Sequence, residues 1–412
     1  MSTQTIVIAG AGQAGYQVAA SLRQDGHTGR IVLVGDEPGL PYQRPPLSKA
    51  FLLGKVGADA LRFRPEAWFN DQHIERLHTG VVSIDRAAKH VVLSDGQALA
   101  YDHLVLALGA RNRVPTLPGM ALDGVFGLRT LADANALSPR LAEVRHAIVI
   151  GAGFIGLEFA AVAAARGIAV QVLELADRPM ARAITPQMSA VFDAGHRGWG
   201  VTMRYGQSLA QIIGEGGKVT AVETATGERL PADLVVYGIG VLPNAEIAAA
   251  AGLAVANGIS VDAALLTSDS AISAIGDVAS FPSAWAAAPI RLESVQNAVD
   301  QAKAVAARLT GHASAYAALP WFWTDQGSLK LQIAGLSDRG DTPLVIGSPE
   351  TSQLSVLCFR AGRLAAVESC NRPADHMAAR KLLARATALT EAEAAAPGFD
   401  LKAYELATRP AA

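Results

Sequence analysis

Thr5-Ile-Val-Ile-Ala9 running into Gly10-Ala-Gly12-Gln-Ala-Gly15 decides the fold, because the same pattern returns at Ala147-Ile-Val-Ile150 and Gly151-Ala-Gly153-Phe-Ile-Gly156. In each copy a short apolar run meets three glycines. A helix-like stretch to Arg23 or Arg166 follows, and then a second apolar run, Arg30-Ile-Val-Leu-Val34 or Ala169-Val-Gln-Val-Leu173. This is the strand, turn, helix, strand order of a dinucleotide-binding unit. The first glycine permits the tight turn, the second lets backbone approach a pyrophosphate, and the third lets helix pack on strand. The helix N-terminus then points its N–H groups at the phosphates. Each copy ends its second strand on an acid, Asp36-Glu37 in the first and Glu174 in the second, placed to accept ribose hydroxyls. One such motif could be a glycine-rich turn and no more. Two copies in full context predict two dinucleotide sites. A carboxylate at Glu174 repels a 2′-phosphate and so favours NADH over NADPH, although Arg178 and Arg182 lie close enough in sequence to weaken that preference.

Composition narrows the class. The chain has 412 residues, 50% hydrophobic and 17% charged, with a formal net charge of −2. That length predicts two or three domains, and the charge balance gives no global basic field for nucleic acid or an anionic membrane. The most apolar long stretch, 243 to 266, is interrupted by Asn244, Glu246, Asn257 and Asp262, so no membrane span is expected. Two cysteines, Cys358 and Cys370, form no closely spaced metal or redox pair, which fits a reducing, cytoplasmic setting and no metal site.

Three further segments carry a resemblance: Tyr42-Gln-Arg44-Pro-Pro-Leu-Ser48-Lys49, Tyr101-Asp-His-Leu-Val-Leu-Ala-Leu-Gly109-Ala110, and Thr267-Ser-Asp-Ser-Ala-Ile-Ser-Ala-Ile-Gly276-Asp277. With them, the chain resembles over essentially its whole length the bacterial NADH-dependent ferredoxin reductases of the glutathione-reductase-like fold. Those flavoproteins feed ferredoxins that serve haem-thiolate monooxygenases and aromatic-ring dioxygenases. In that family the first segment lies beside the isoalloxazine and the second closes the first flavin-binding lobe, with Leu108 here standing where threonine is common. The third is a second FAD fingerprint whose acid, Asp277, accepts a ribitol hydroxyl. The resemblance implies an α/β fold of two Rossmann-like dinucleotide-binding domains, for FAD and NAD, plus a C-terminal α+β interface domain. Residues 1 to 115 begin the FAD-binding domain, 116 to 242 form the NAD-binding domain, 243 to 320 complete the FAD-binding domain, and 321 to 412 form the interface domain. This last part also reads on its own as short strands: Leu329 to Ala334, and a hairpin from Leu354 to Ser369 turning at Ala361-Gly362, before a helix from Asp375 to Arg385.

Site residues follow from the same resemblance. Lys49 is expected near flavin N5, paired with Glu158; read on their own, these are a turn lysine and an acid complementing a helix dipole. Gly127-Leu-Arg129-Thr130 matches a segment that contacts the FAD phosphates, and Arg44 is a similar candidate. Of the aromatics in Trp321-Phe-Trp323, Trp323 is taken to approach the flavin. The helix opening at Glu293-Ser-Val295 would face the pyrimidine end, and Gly238-Ile-Gly240 would let nicotinamide lie flat on the ring. Ala14, Val82, Ile155 and Arg182 complete the cofactor-binding candidates.

The chemistry then belongs to the cofactors. The segment from Pro41 to Lys49 contains no cysteine, so electrons leave from the flavin directly, which suits a one-electron iron–sulfur acceptor. The expected partner is a two-iron ferredoxin, with rubredoxin as the alternative, and the protein acts as a monomer or weak homodimer. A peroxide or oxygen reductase of this fold would need a thiol that is missing, and a signalling role like that of apoptosis-inducing factor would need an added basic region. Arg62, Arg64, Lys303 and Lys330 are candidates for steering an acidic ferredoxin.

Overall fold

The computed structural model describes residues 4–312 and 315–409. They divide into two compact units, the first made of Met1–Gln43, Asp59–Arg111 and Leu242–Pro320, the second of Arg44–Ala58, Asn112–Val241 and Trp321–Ala412.

The first unit is built on a five-stranded parallel sheet in the order Ile272–Ala274, His103–Leu106, Ile6–Ala9, Ile31–Gly35, Ile74–His78. Its central strand is solidly apolar and fully buried, as expected of parallel strands covered on both faces. Strand order reverses at Ile6–Ala9, so the crevice where α/β sheets bind ligands opens at its carboxyl end, at Gly10. Helices Gln13–Gln24 and Val295–Leu309 pack on each other over this sheet. A three-stranded antiparallel layer, Val81–Asp85, His90–Leu93 and Ala98–Ala100, is inserted before the fourth parallel strand.

The second unit repeats that plan. Its parallel sheet runs Thr202–Tyr205, Ala169–Glu174, His146–Ile150, Leu234–Tyr237, Val125–Gly127, with the reversal at His146–Ile150 and Gly151 at its end. It too carries a three-stranded antiparallel insertion, Leu209–Glu215, Lys218–Thr224 and Arg229–Pro231. The repeat seen in the glycine motifs therefore extends to the whole architecture. Arg44–Ala58, read above with the first FAD segment, packs within this unit, where the Arg166 guanidinium donates to the carbonyl of Leu52 and Lys49 pairs with Glu158.

The C-terminal module of the second unit is a five-stranded antiparallel sheet, Trp321–Gln326, Leu329–Gly335, Arg363–Cys370, Gln353–Arg360, Thr342–Ser348. The hairpin turns at Ala361-Gly362, both with positive φ, the two-residue turn whose twist matches the flanking strands. Helix Pro373–Ala384 covers the sheet. Sequence patterning left out two strands. Trp321–Gln326 was read as an aromatic cluster, and Thr342–Ser348 has almost no buried residue to signal it.

One buried acid ties this module to the dinucleotide-binding part of its unit. Glu368, on Arg363–Cys370, is 0% exposed. Its carboxylate accepts from the Thr185 N–H at 2.9 Å, the Thr185 hydroxyl at 2.6 Å and the Ser337 hydroxyl at 3.1 Å. Thr185 also caps helix Pro186–Gly198. Burial pushes the Glu368 carboxyl up to about 7, against the pull of the Thr185 and Ser337 bonds. An unfolded glutamate loses its proton near pH ~4.3, so between there and about 7 the folded state holds a proton that the unfolded state has lost. The stability this gives is complete at the acid end of that window and is lost as pH rises through it. Glu368→Gln should flatten this part of the profile, reducing the drop in unfolding free energy between pH 5 and pH 8 by on the order of 2 kcal/mol. Urea midpoints at the two pH values measure it, and an unchanged profile would contradict the assignment.

Candidate functional site

A helix of the protein leaves its first N–H groups without intrahelical partners. In helices Pro186–Gly198 and Val295–Leu309 the hydroxyls of Thr185 and Ser294 each accept one of them, from Met188 and Asn297. Helices Gln13–Gln24 and Phe154–Ala165 start instead at Gly12 and Gly153, with no side-chain cap and no acid in the first turn. These two N-termini are set up for an anion. The glycines around them divide by role. A Cβ on Gly10, at φ +107°, would stand 2.2 Å from the Ala107 carbonyl oxygen, and one on Gly15 would stand 1.8 Å from the Gly10 oxygen. A Cβ on Gly12 meets nothing within 4 Å. Gly10 and Gly15 are thus required by the fold, while Gly12 borders the open space that a pyrophosphate would fill. In the second unit Gly151 and Gly156 are crowded in the same way, and Gly153 is the roomier position.

The ribose-side acids differ between the copies. Strand register pairs Ala9 with Val34 and Ile150 with Leu173, so Gly35 is the counterpart of Glu174. A side chain at Gly35 would strike the Ala11 methyl group at 2.5 Å, so the first copy carries its acids one and two residues later. Asp36 is exposed, and Glu37 accepts a hydrogen bond from the Tyr42 hydroxyl. Glu174 is oriented by the N–H groups of Ala152, at 2.7 Å, and Ala176, at 2.8 Å. A carboxylate has about four acceptor positions, so room remains for hydroxyls. Arg178 is occupied, with bonds to the carbonyls of Ala181 and Ile184 and to the Ser189 hydroxyl. Arg182 is exposed and makes no hydrogen bond or ion pair among the described residues; its guanidinium lies beside Gly240, itself at φ +104°. Leu175, 73% exposed directly after Glu174, escaped sequence reasoning; a large apolar group left in the open at a strand end was its only signal.

Lys49 sits in a wide helical turn, Leu47–Phe51, in which the Phe51 N–H reaches back five residues to the Pro46 carbonyl. Such turns recur at functional sites. The Lys49 ammonium lies 2.9 Å from Glu158, and the Glu158 side chain is only 4% exposed. Glu158 also accepts from the Ser48 hydroxyl and, at 2.6 Å, from Thr324. Burial pushes its carboxyl above the usual carboxylate range, opposed by Lys49 and the two hydroxyls. An acid so placed does not merely complement the helix dipole from solvent.

Other candidates group by unit. In the first, a Cβ on Gly276 would meet the methyl groups of Ala14 and Ala298, so the Gly276-Asp277 segment adjoins the first glycine turn, and Gln301 accepts from the Gly276 N–H at 2.7 Å. Arg291 donates to the Asp277 carbonyl, and Val295 opens its helix behind the Ser294 cap. Val82 is exposed at a bulge of its strand. In the second, Arg44 donates to the Arg129 carbonyl at 2.8 Å, so the two arginine positions adjoin. Ile155 is an exposed apolar residue in the first turn of its helix. Trp321 and Trp323 stack at 5.7 Å, and Trp321 also meets the Arg380 guanidinium at 4.3 Å and His376. Of the steering candidates, Arg62 is paired with Asp59 at 2.6 Å, while Lys303 and Lys330 are exposed.

The described residues contain no cluster of three metal-ligating side chains and no helix long and apolar enough to cross a membrane. Cys358 and Cys370 are buried free thiols; burial pushes Cys370 to about 11 and Cys358 higher still, so neither is poised for thiol chemistry.

Two parallel sheets, each ending in an uncapped glycine-turned helix, define a two-dinucleotide oxidoreductase. Residues 4–302 match the family described as pyridine nucleotide-disulphide oxidoreductase, and 321–405 match the reductase C-terminal family. The chain belongs to the pyridine nucleotide-disulphide oxidoreductase family. It is 51% identical to rhodocoxin reductase of Rhodococcus erythropolis over 97% of this chain and 93% of the relative. It is 40% identical to a rubredoxin-NAD(+) reductase of Pseudomonas putida over 89% of this chain and 96% of the relative. The crystal structure of the ferredoxin reductase for the CYP199A2 system from Rhodopseudomonas palustris superimposes with a TM-score of 0.95 at 52% identity, covering 97% of this chain and 99% of that one. FAD and a nicotinamide dinucleotide are the cofactors of the ferredoxin–NAD(P)+ reductases in this family, and the two uncapped N-termini fit the two pyrophosphates.

Gly10→Ala and Gly12→Ala should therefore separate folding from binding. Gly10→Ala, forced into a left-handed conformation against backbone, should cost at least about 2 kcal/mol of stability. Gly12→Ala should leave the apoprotein within about 0.5 kcal/mol of the parent and weaken FAD retention. Equal destabilisation in urea unfolding of the two apoproteins would contradict the division of roles.

Proposed function

We propose that the protein is an FAD-dependent NADH:ferredoxin oxidoreductase that delivers electrons to a two-iron ferredoxin serving a monooxygenase or dioxygenase. The observation that carries this reading is the pairing of two dinucleotide cradles with an absence of usable thiols. Both cysteines are buried and lie far in sequence from the Pro41 to Lys49 segment, so electrons have no disulfide to pass through. When bound, FAD supplies acceptance of a hydride and release of single electrons.

The chain's own residues bind and orient. FAD is assigned to 1 to 115 and 243 to 320, with Gly10, Gly12, Ala14, Gly15, Asp36, Glu37, Arg44, Lys49, Val82, Asp277 and Val295 as its binding residues and Arg129 and Trp323 as further candidates. NADH is held by 116 to 242, through Gly151, Gly153, Ile155, Gly156, Glu158, Glu174, Arg182 and Gly240, and 321 to 412 forms the interface module. Trp323 is favoured over Trp321 because helix Pro373–Ala384 already occupies Trp321 through Arg380 and His376. The Lys49 ammonium supports negative charge arriving on the reduced ring, and the Val295 helix end does the same at the pyrimidine. Leu175 offers an apolar surface for the NADH adenine next to the acid that holds its ribose. The setting is reducing and cytoplasmic, which the two unpaired thiols support.

Rubredoxin is the competing acceptor, and one comparison decides between them. NADH-driven reduction should run with the higher kcat/KM on a two-iron ferredoxin; a higher value on rubredoxin would reassign the partner, and reduction of neither would overturn the reading. Cofactor choice is tested at Glu174. The protein should prefer NADH over NADPH, and Glu174→Ala should narrow that ratio at least about tenfold, because a like-charge repulsion of ~1–3 kcal/mol is removed. An unchanged ratio would place the discrimination elsewhere.

A further inference from the structure

The Lys49–Glu158 pair is nearly out of water, and its stability there is a question of donors. A buried carboxylate keeps its charge only when its oxygens are bonded, and a buried ion pair is costly when they are not. Glu158 has three donors from two segments of its unit, Leu47–Phe51 and Trp321–Gln326. Lys49 and Thr324 meet Oε1 at 2.9 Å and 2.6 Å, and Ser48 meets Oε2. Ser48 and Thr324 are both buried. Thr324 belongs to the aromatic strand Trp321–Gln326 of the C-terminal module; on the same face, Phe322 rests edge-on against Phe154 at the start of the Glu158 helix, at 5.1 Å. Strand alternation puts Trp321 and Trp323 on the other face.

We propose that Thr324 and Ser48 are positioning residues for the Lys49–Glu158 pair, their hydroxyls holding Glu158 as a carboxylate turned to Lys49, so that the C-terminal module helps set the charge at the hydride-transfer site. This rests on the placement of Lys49 beside the flavin proposed above. Without one hydroxyl, an oxygen of Glu158 is left short of a donor and the neutral acid gains. Lys49, its side chain mostly buried, then loses its counter-charge and is released from the pair, which leaves its amine more available to a reagent.

Among the described residues no second group is placed to take over: helix Leu131–Leu137, packed on the Leu47–Phe51 segment, carries Asp133, but its carboxylate accepts from the Arg129 and Thr130 N–H groups. On the segment Leu47–Phe51 the charged residue is Lys49 itself. On Trp321–Gln326, Asp325 points away from Glu158 by alternation, opposite Lys330 in the sheet register. Behind Thr324, Gln326 donates to the Thr324 hydroxyl at 3.4 Å and bonds His196 at 2.8 Å; burial holds His196 below its ordinary range. The two strands beneath the helix bring titratable groups only at their ends, Glu174 turned to the Ala152 and Ala176 N–H groups and His146 beside Asp233.

Thr324→Val keeps the shape and removes the hydroxyl, Thr324→Ser keeps the hydroxyl, and Ser48→Ala removes the other donor. Two readouts apply to the full-length protein: the pH profile of NADH oxidation, and the rate of reductive methylation of Lys49 followed by peptide mass spectrometry. Thr324→Val and Ser48→Ala should each move the acid limb of the profile up by about one pH unit. Each should also raise Lys49 labelling at pH 7.5 at least about threefold relative to the other lysines. Thr324→Ser should restore both. If Thr324→Val alone melts early, Ser48→Ala and Thr324→Ser decide. Parental pH profile and labelling in Thr324→Val and Ser48→Ala would overturn the proposal and leave Thr324 a packing residue. A parent protein that does not oxidise NADH would overturn the functional reading instead, while Lys49 labelling would still judge the hydroxyls.

Discussion

Helices Gln13–Gln24 and Phe154–Ala165 start at Gly12 and Gly153 with no side-chain cap among the described residues, so their first N–H groups are left for a ligand. Much of the architecture is arranged around that constraint. Each helix follows the central strand of a parallel sheet, at the point where strand order reverses, so its open end faces the crevice beyond the strands. The glycines that make the turn are crowded by backbone, and the one at the helix start is not. Elsewhere, at Thr185 and Ser294, long helices are closed by hydroxyl caps. The two open ends are therefore features of a binding protein whose ligand completes the hydrogen bonding.

Most of this was legible in sequence because it depends on local rules. Glycine spacing, an apolar run before and a helix after are short-range signals, and the two copies reinforced each other. The acid position was legible only to within one residue, since the crowding of Gly35 by Ala11 is a contact between separate segments. The edge strand Thr342–Ser348 was missed because an exposed strand has no alternation to read. Thr324 was hidden for another reason: it stands between residues that advertise themselves, and its value comes from Glu158, 166 positions away. Arg178 ran the opposite way, read as close enough in sequence to weaken the NADH preference and found tied by two bonds to its own loop and one to Ser189 of the next helix.

Two buried acids show how the same physics serves different ends. Glu158 has an ammonium at 2.9 Å, which opposes the upward push of burial on its carboxyl. Glu368 has hydrogen-bond donors but no ion-pair partner among the described residues, and burial pushes its carboxyl up to about 7. Its bonds to Thr185 end the loop that begins just after Glu174, so the C-terminal module touches the second glycine-turned unit at that loop and again, through Thr324, at Glu158. A module with two such attachments is part of the working enzyme, which fits its place in the chain directly after the dinucleotide-binding segments.

The central claim is that two cradles act in series, NADH to flavin to an iron–sulfur acceptor, with no thiol between them. Sequential-mixing stopped flow under anaerobic conditions tests it directly: NADH is mixed with the oxidised protein, and the product is then mixed with a two-iron ferredoxin. The account predicts bleaching of the flavin band on the first mix and its return, in step with ferredoxin reduction, on the second, both unchanged in a Cys358→Ser, Cys370→Ser double variant. Flavin that NADH does not bleach, or a second phase that disappears with the cysteines, would contradict it.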